Sequence, residues 1–197
     1  MVKVVWKYRN FIMGSVQREF HVMYSRSVLG SLWMVLNPLA IITVYIVIFS
    51  QVMHAKFPGL GSEQFAYGIF VVTGFITWGY FSEILSRSIN LFVAESSLIK
   101  KIAFPRLCLP VIVILSATVN FSIIAVLFIV FMALTWTFNS AILYVFPLLL
   151  LQVLLATGLG VLLGVLNVFV RDIGQFMGIV LQFWFWLTPI VYPISIL

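Results

Sequence analysis

The run LCLPVIVILSATVNFSIIAVLFIVFMALTW, from Leu107 to Trp136, decides the fold class because it carries no charged side chain over its whole length. A helix of about 20 apolar residues crosses a bilayer core and satisfies its own backbone hydrogen bonds, as lipid requires. Barrel strands would instead alternate apolar and polar residues over about 10 positions. The sequence therefore predicts an all-α integral membrane protein with five transmembrane helices, the others being Leu29–Met53, Phe65–Leu85, Ala141–Val170 and Ile173–Ile194.

The composition also indicates that lipid is the solvent. Of the 197 residues, 63% are hydrophobic and 8% are charged, and the mean hydropathy is +1.20. A water-soluble core does not need so much apolar surface. The two histidines, His21 and His54, have no Cys, His or Asp close to them in sequence, so neither a metal site nor a cofactor is expected.

The distribution of Lys and Arg predicts the orientation in the membrane. Ten of the eleven basic residues fall before the first span, between the second and third spans, or between the fourth and fifth, and only Lys56 falls on the other side. Because basic residues concentrate in cytoplasmic segments, the N-terminus is expected in the cytoplasm. The same asymmetry explains the net charge of +6 without a nucleic-acid partner.

Residues 1–28 are predicted to form an amphipathic helix along the cytoplasmic membrane surface. Arg18 and Glu19 fall off its apolar line, whose members recur at helical spacing: Ile12, Val16, Phe20 and Met23. A basic, one-sided helix of this kind lies in the membrane interface. A simple basic anchor before the first span is the alternative.

The stretch LIKKIAFPRLCLP, from Leu98 to Pro110, interrupts two apolar spans with three basic residues and two prolines. Ser96 and Ser97 precede it and are favourable helix N-caps, whereas Pro105 ends helices and Pro110 is tolerated in the first turn of the next one. The pattern predicts a short cytoplasmic helix near residues 96–106 that can dock a soluble partner. The alternative is an ordinary basic loop that follows the positive-inside bias.

Small residues and one charged pair predict contacts between helices. Glu83 and Arg87 have the spacing of a favourable helical ion pair, so neutralising both is expected to be milder than neutralising one. Pro38 is expected to kink the first span or to end a regular segment there. Close packing between helices of the bundle is expected at small residues four apart, namely Ala156, Gly160 and Gly164, then Gly174 and Gly178. A contact between subunits is the alternative.

Three groups of residues together resemble one transporter family. They are Arg18–Phe20 with Tyr24–Trp33 and Pro38, then LIKKIAFPRLCLP, and finally Val170–Gly174 with Leu187–Pro193. In this order they resemble the permeases of type 2 ABC exporters that move O-antigen, teichoic acid or capsule on a lipid carrier. The resemblance implies a multi-pass subunit of the cytoplasmic membrane, with an interface segment at 1–28 and a transmembrane domain at 29–197. It also implies an outer gate and a sixth span that are missing here, so the chain is expected to be C-terminally incomplete.

The resemblance further implies partners and coupling residues. Such an exporter contains two copies of the permease and two of an ABC ATPase. No G-x-x-x-x-G-K-[ST] sequence occurs here, so ATP hydrolysis is expected from the partner. LIKKIAFPRLCLP is similar to the family's coupling helix, which implies ATPase coupling by Leu98, Ile99, Lys100, Lys101, Phe104, Pro105 and Arg106.

A lipid-linked diphosphate needs positive charge near the cytoplasmic headgroups. Arg18 and Arg26 are the candidates, because a guanidinium binds phosphate through two hydrogen bonds. Members of the family often carry further arginines around this stretch, where this chain has Met23 and Ser25, so Arg26 carries more weight. Plain anchoring to the membrane is the alternative.

Aromatic residues, 16% of the chain, supply candidate surfaces for a sugar path. Trp184 and Trp186 are about 200° apart on a helix and cannot share one face. Packing or lipid contact is the alternative role for each candidate, and Trp136 and Tyr144 are expected at the outer interface. The candidates are Tyr45, Phe70, Phe75, Trp78, Phe183, Trp184 and Trp186.

Other functions are less well supported by the sequence. Five acidic residues are present and are not expected to cluster, which leaves little for the general acid–base chemistry of a membrane-embedded enzyme: Glu19, Glu63, Glu83, Glu95 and Asp172. No charged ring or filter indicates a passive channel. A type 2 exporter of drugs or other small molecules is therefore the main alternative to polysaccharide export.

Overall fold

The computed structural model of the protein describes residues 2–25, 28–48, 66–96, 105–136 and 144–192, and all regular structure in these ranges is helical. The chain begins with α1 (Val2–Lys7) and α2 (Arg9–Tyr24), and a 3₁₀ turn at Gly30–Leu32 leads into α3 (Trp33–Ile46). The later helices are α4 (Ala66–Ala94), α5 (Cys108–Leu134), α6 (Val145–Phe169) and α7 (Asp172–Leu187).

Three described helices are long and apolar enough to cross a membrane: Tyr67–Ala94 within α4, together with α5 and α6. They correspond to the second, third and fourth predicted spans, which are thereby confirmed as helices of sufficient length and apolarity to cross a membrane. α4 continues to Ala94 instead of ending at Leu85. Two polar side chains beyond Leu85 are bound by neighbouring helices: Arg87 pairs with Glu19 of α2, and Asn90 Oδ1 accepts a hydrogen bond from Asn167 of α6.

The first and fifth predicted spans appear as shorter described helices. The first is apolar over Gly30–Ile46, and residues 49–53 of the predicted span lie outside the described residues. α7 has 16 residues, which gives about 24 Å against the roughly 30 Å of a bilayer core. Its helix ends where Thr188 becomes extended, directly before Pro189. The count of five spans stays a prediction.

Pro38 lies inside α3 and is buried, and the helix continues past it to Ile46. Of the two outcomes expected for Pro38, the end of a regular segment is therefore wrong, and a kink stays a prediction. Proline has no N–H, so the carbonyl of Met34 loses its usual partner one turn later. The loss of one hydrogen bond weakens α3 at this point without ending it.

α4 is the central helix and contacts α3, α5, α6 and α7. Its side chains Ile84, Leu85 and Ile89 are almost completely buried. α6 lies close to it because Ala156, Gly160 and Gly164 form a buried small-residue face. The predicted packing within the bundle is thus confirmed for α6.

The two glycines of α7 differ. A Cβ added at Gly174 would lie 2.9 Å from Asn90 Oδ1, so this glycine permits a close approach to α4. A Cβ at Gly178 would meet no described atom within 4 Å. Packing within the described bundle is confirmed at Gly174 and is wrong at Gly178, because that face of α7 does not reach a neighbouring helix.

α2 docks on the bundle through its predicted apolar face. Ile12 and Val16 are buried, and α2 contacts α5. Met23 was expected on the same face but is 54% exposed, so the buried line ends before the last turn of α2. Glu19, which falls off the predicted line, is instead held by the bundle, as described below. Trp136 and Tyr144, at the facing ends of α5 and α6, are both largely exposed.

Candidate functional site

A polar network joins α2 to α4. The Arg87 guanidinium forms ion pairs with two carboxylates: Nη2 lies 2.5 Å from Glu19 Oε1, and Nη1 lies 3.3 Å from Glu83 Oε1. The Glu83–Arg87 pair confirms the prediction from their spacing. The Glu19–Arg87 pair joins residues 68 positions apart. No sequence periodicity relates positions so distant, so this pair was missed.

α5 completes the network with two hydrogen bonds. Ser116 Oγ donates to Glu19 Oε2 at 2.8 Å, and Asn120 Nδ2 donates to Glu83 Oε1 at 3.1 Å. The expectation that the acidic residues do not cluster is therefore wrong for Glu19 and Glu83, because both bind one arginine. Hydrogen bonds to charged groups are strong, so the network fixes α2, α4 and α5 relative to one another.

An aromatic group lies where α3, α4 and α7 meet. Trp78 is its centre, with ring centroids 5.9 Å from both Trp184 and Phe185. Phe75 extends it, at 6.3 Å from Phe185 and 4.8 Å from Tyr45. Four of the seven candidate sugar-path residues therefore come together, and Phe185, which the sequence analysis left out, joins them.

The other three candidates lie apart from the centre of this group. Phe70 contacts Tyr67, with ring centroids 6.3 Å apart. Phe183 is 65% exposed. Trp186 is mostly exposed and touches the group through Phe185. The predicted divergence of Trp184 and Trp186 is confirmed, because only Trp184 contacts the rings of α4.

A cavity of about 140 Å³ between α3, α4 and α5 adjoins both the aromatic group and the polar network. Tyr45 and Phe75 line it on one side, and Glu83 lines it on another. A Cβ at Gly79, on its wall, would meet no described atom within 4 Å. A cavity of this size holds a benzene-sized group.

Asn167 fixes the connection between α6 and α7. Its Nδ2 donates to the carbonyl of Ile89 at 3.1 Å and to Asn90 Oδ1 at 3.4 Å, and its Oδ1 accepts from the Gly174 backbone N–H at 3.0 Å. The side chain is almost fully buried. Its role was not predicted, although a polar residue near the end of an apolar span is a usable signal in the sequence. It holds the start of α7 against α4.

Comparison with known proteins agrees with this architecture. The sequence profile described as ABC-2 type transporter matches residues 11–197. The chain belongs to this family. It is 31% identical over 182 residues to an O-antigen export system permease protein RfbA of Klebsiella pneumoniae. The aligned region covers 89% of this chain and 66% of that protein. It is 29% identical over 196 residues to the RfbA of Myxococcus xanthus, covering 99% of this chain and 73% of that protein.

The family match supports the expected location in the membrane. The ABC-2 family match and the apolar helices make the chain an integral multi-pass protein of the inner, cytoplasmic membrane. The chain spans slightly less than two thirds of the length of the Klebsiella relative.

Most of the expected coupling segment of this ABC-2 family member lies outside the described residues, namely Leu98, Ile99, Lys100, Lys101 and Phe104. Pro105 and Arg106 are described, and they form the turn that enters α5. The Cys108 N–H donates to the Pro105 carbonyl at 2.9 Å, and the Leu109 N–H donates to that of Arg106 at 3.2 Å. Pro110 is the third residue of α5, in the first turn as predicted.

The two candidate phosphate contacts are only partly described. Arg18 is exposed on α2 and lines a cleft that also contains Glu19, Arg87 and Glu95. Arg26 lies outside the described residues. The described surroundings of Arg18 are thus mixed in charge and do not form a purely cationic pocket.

The segment after α7 folds back on α4. Tyr67 donates its hydroxyl to the Val191 carbonyl at 2.6 Å. Ile190 is buried, and its Cγ2 would lie 2.9 Å from a Cβ added at Gly74. Non-helical backbone at membrane depth needs such partners within the protein. This part of the resemblance to the family, Leu187–Pro193, therefore has a structural role over its described residues.

Proposed function

We propose that this chain is the transmembrane permease subunit of an ATP-driven exporter that moves a lipid-linked polysaccharide, such as O-antigen, across the cytoplasmic membrane. The observation that carries the proposal is its similarity, over most of its length, to relatives named as O-antigen export permeases. Export of drugs or other small molecules is the alternative. The observation on the side of that alternative is the mainly apolar wall of the cavity of about 140 Å³.

The proposed topology has five spans and a cytoplasmic N-terminus. Its support is the arrangement of the basic residues. Glu19 of α2 binds Arg87 near one end of α4, and Gly174, three residues after Arg171, approaches Asn90 near the same end. Arg106 lies two residues before the start of α5. The positive-inside bias then assigns this end of the bundle to the cytoplasm.

The proposed assembly contains two copies of this permease and two copies of an ABC ATPase. Residues 96–106 receive the motion of the ATPase together with α2. The polar network of Arg87, Glu19 and Glu83 supports this assignment, because it ties α2 to α4 and α5. A displacement of α2 would therefore be transmitted to α4, which carries Phe75 and Trp78 of the aromatic group.

The proposed sugar path follows the aromatic group. Aromatic faces accept the apolar C–H edges of sugars without fixed hydrogen bonds, so a chain of sugars can slide past them. Tyr45, Phe75, Trp78 and Trp184 have the strongest support because they meet, together with Phe185. Phe70, Phe183 and Trp186 have weaker support because they lie apart from its centre.

The proposal is tested by purifying the full-length protein from its own membranes in mild detergent. We expect an equimolar ABC ATPase in the complex, identified by mass spectrometry. The ATPase activity of that complex should rise with lipid-linked polysaccharide and not with hydrophobic drugs. Stimulation by drugs alone would favour the alternative exporter, and recovery of the protein alone, under conditions that preserve similar complexes, would contradict both.

Reversing two charges in the expected coupling segment should uncouple the exporter. In Lys100→Glu/Lys101→Glu, we expect ATP hydrolysis to continue while export falls at least 10-fold, because the contact with the ATPase is altered. Membrane insertion and protein level should stay unchanged. Lys100→Arg/Lys101→Arg is the matched control and should export normally. Normal export by the glutamate variant would refute the coupling role.

Arg26→Ala should abolish stimulation of ATP hydrolysis by the lipid-linked substrate while the complex assembles normally. The reason is the loss of a guanidinium that grips the diphosphate. Arg9→Ala is the control, because Arg9 lies over the Trp6 ring at 5.2 Å from its centroid and is not a proposed phosphate contact. Unchanged stimulation in Arg26→Ala would indicate that Arg26 only anchors the chain to the membrane.

A further inference from the structure

A cleft of about 510 Å³ between α2, α4 and α5 is lined by side chains of both charges. Among the described residues that line it, two are basic, Arg18 and Arg87, and two are acidic, Glu19 and Glu95. These four formal charges cancel. The cleft therefore differs from a phosphate pocket, in which basic groups would be in excess.

Two of the four charges are already engaged, and two are not. Glu19 and Arg87 bind each other, and Arg87 also binds Glu83. The side chains of Arg18 and Glu95 make no hydrogen bond or ion pair with any residue in the described parts of the chain. The cleft thus presents one available cation and one available anion. Ser15, Asn90 and apolar side chains, among them the buried Leu91 and Leu109, form the rest of its described wall.

We propose that this cleft binds the headgroup of a zwitterionic phospholipid that carries a primary ammonium group. Arg18 contacts the phosphate, because a guanidinium binds phosphate oxygens through two hydrogen bonds. Glu95 accepts hydrogen bonds from the ammonium. The apolar wall contacts the first part of the acyl chains.

The charge pattern selects this ligand over an anionic one. A headgroup with only negative charge would bring its charge close to Glu95 and Glu19, and like charges at short distance repel. A zwitterionic headgroup has a partner for each available side chain. The position of the cleft fits, because α2 is an amphipathic helix of the type that lies at the level of lipid headgroups.

The proposal rests on the membrane location and not on the identity of the transported substrate. It does share Arg18 with the proposed contact for the lipid-linked diphosphate, and both ligands present a phosphate. The two candidate ligands differ in how the Glu95 carboxylate affects their binding. A zwitterionic lipid gains from this carboxylate, whereas a diphosphate is repelled by it.

The test measures lipids retained by the purified full-length protein after it is offered equal amounts of phosphatidylethanolamine and phosphatidylglycerol, with native mass spectrometry as the readout. We expect phosphatidylethanolamine to be preferred by about 5-fold, which corresponds to about 1 kcal/mol. Glu95→Gln should reduce this preference to nearly equal retention. Arg18→Gln should lower the retention of both lipids.

Arg9→Gln is the matched control, because it removes a basic side chain of α2 that does not line the cleft. It should leave the lipid preference unchanged. An unchanged preference in Glu95→Gln, or full retention in Arg18→Gln, would overturn the proposal. A separate arm offers polyprenyl diphosphate: if Arg18→Gln lowers and Glu95→Gln raises its retention, while phosphatidylethanolamine is unaffected, the cleft belongs to the carrier lipid instead.

The ATPase purification described above tests the exporter function separately. A complex that contains the ATPase but shows no lipid preference would refute only the lipid site. A lipid preference without an ATPase partner would refute only the exporter.

Discussion

Arg87→Gln should destabilise the protein more than replacement of either acidic partner. Arg87 is the cation for both Glu19 and Glu83. Its loss leaves two carboxylates close together in the bundle without a positive charge. In Glu19→Gln, by contrast, Arg87 keeps Glu83 as its partner. A partly buried charge left without its partner costs about 1–3 kcal/mol, and the 27% exposure of the Arg87 side chain puts the expected loss below that of a fully buried ion.

The measurement is the midpoint of thermal unfolding in detergent, followed by the fraction of protein that elutes as a single species. The expected order of stability is wild type, then Glu19→Gln and Glu83→Gln, then Arg87→Gln. Arg171→Gln is a control, because Arg171 is exposed and makes no ion pair with the described residues. Midpoints equal to that of the wild type in all three variants would show that the network does not hold the helices, and equal, lowered midpoints for Arg87→Gln and Glu19→Gln would contradict the role of Arg87 as the shared cation.

Glu19, the third charged member of the network, changes the outcome expected for the double variant Glu83→Gln/Arg87→Gln. From spacing alone, Glu83→Gln/Arg87→Gln should be milder than either single change. The structure shows that this variant leaves Glu19 without its cation, bound only by Ser116. We therefore expect the double variant to be close to Arg87→Gln. The triple variant with Glu19→Gln removes every charge of the network and should recover part of the lost stability.

Features that depend on local periodicity could be predicted from the sequence. The second, third and fourth spans follow from uninterrupted apolar runs, and the Glu83–Arg87 pair follows from one turn of a helix. The packing face of Gly160 and Gly164 follows from small residues four apart. In each case the residues that interact lie within one helix or form one of its faces.

Features that depend on how helices meet could not be predicted in this way. Glu19 was placed off the buried face because its partner, Arg87, is remote in sequence. Phe185 was passed over in favour of Trp186, because periodicity does not say which face of α7 meets α4. The end of α7 after Leu187, short of the predicted Ile194, depends on Tyr67 and Gly74 of α4, which hold the extended segment that follows.

Alanine at Gly160 or Gly164 is expected to force α6 away from α4. A Cβ at Gly164 would lie 2.6 Å from the Ser88 carbonyl oxygen, and a Cβ at Gly160 would meet Ser88 Cβ. Both approaches are closer than van der Waals contact allows. Overpacking of a close helix contact costs roughly 1–3 kcal/mol, so the unfolding midpoint should fall by several degrees. Gly158→Ala is the matched control in the same helix, because no described atom lies within 4 Å of its Cβ.

The two variants should differ in whether a second change rescues them. The nearest obstacles to Gly160→Ala are side-chain atoms of Ser88, so Ser88→Gly should restore most of the lost stability. Ser88→Ala keeps the Cβ and should therefore not restore the stability of Gly160→Ala. This control loses no hydrogen bond, because the Ser88 hydroxyl has no partner among the described residues. The obstacles to Gly164→Ala are the backbone carbonyls of Ser88 and Ile89, which no side-chain change removes. Rescue of Gly164→Ala by Ser88→Gly, or of Gly160→Ala by Ser88→Ala, would mean that α4 and α6 do not pack at this distance.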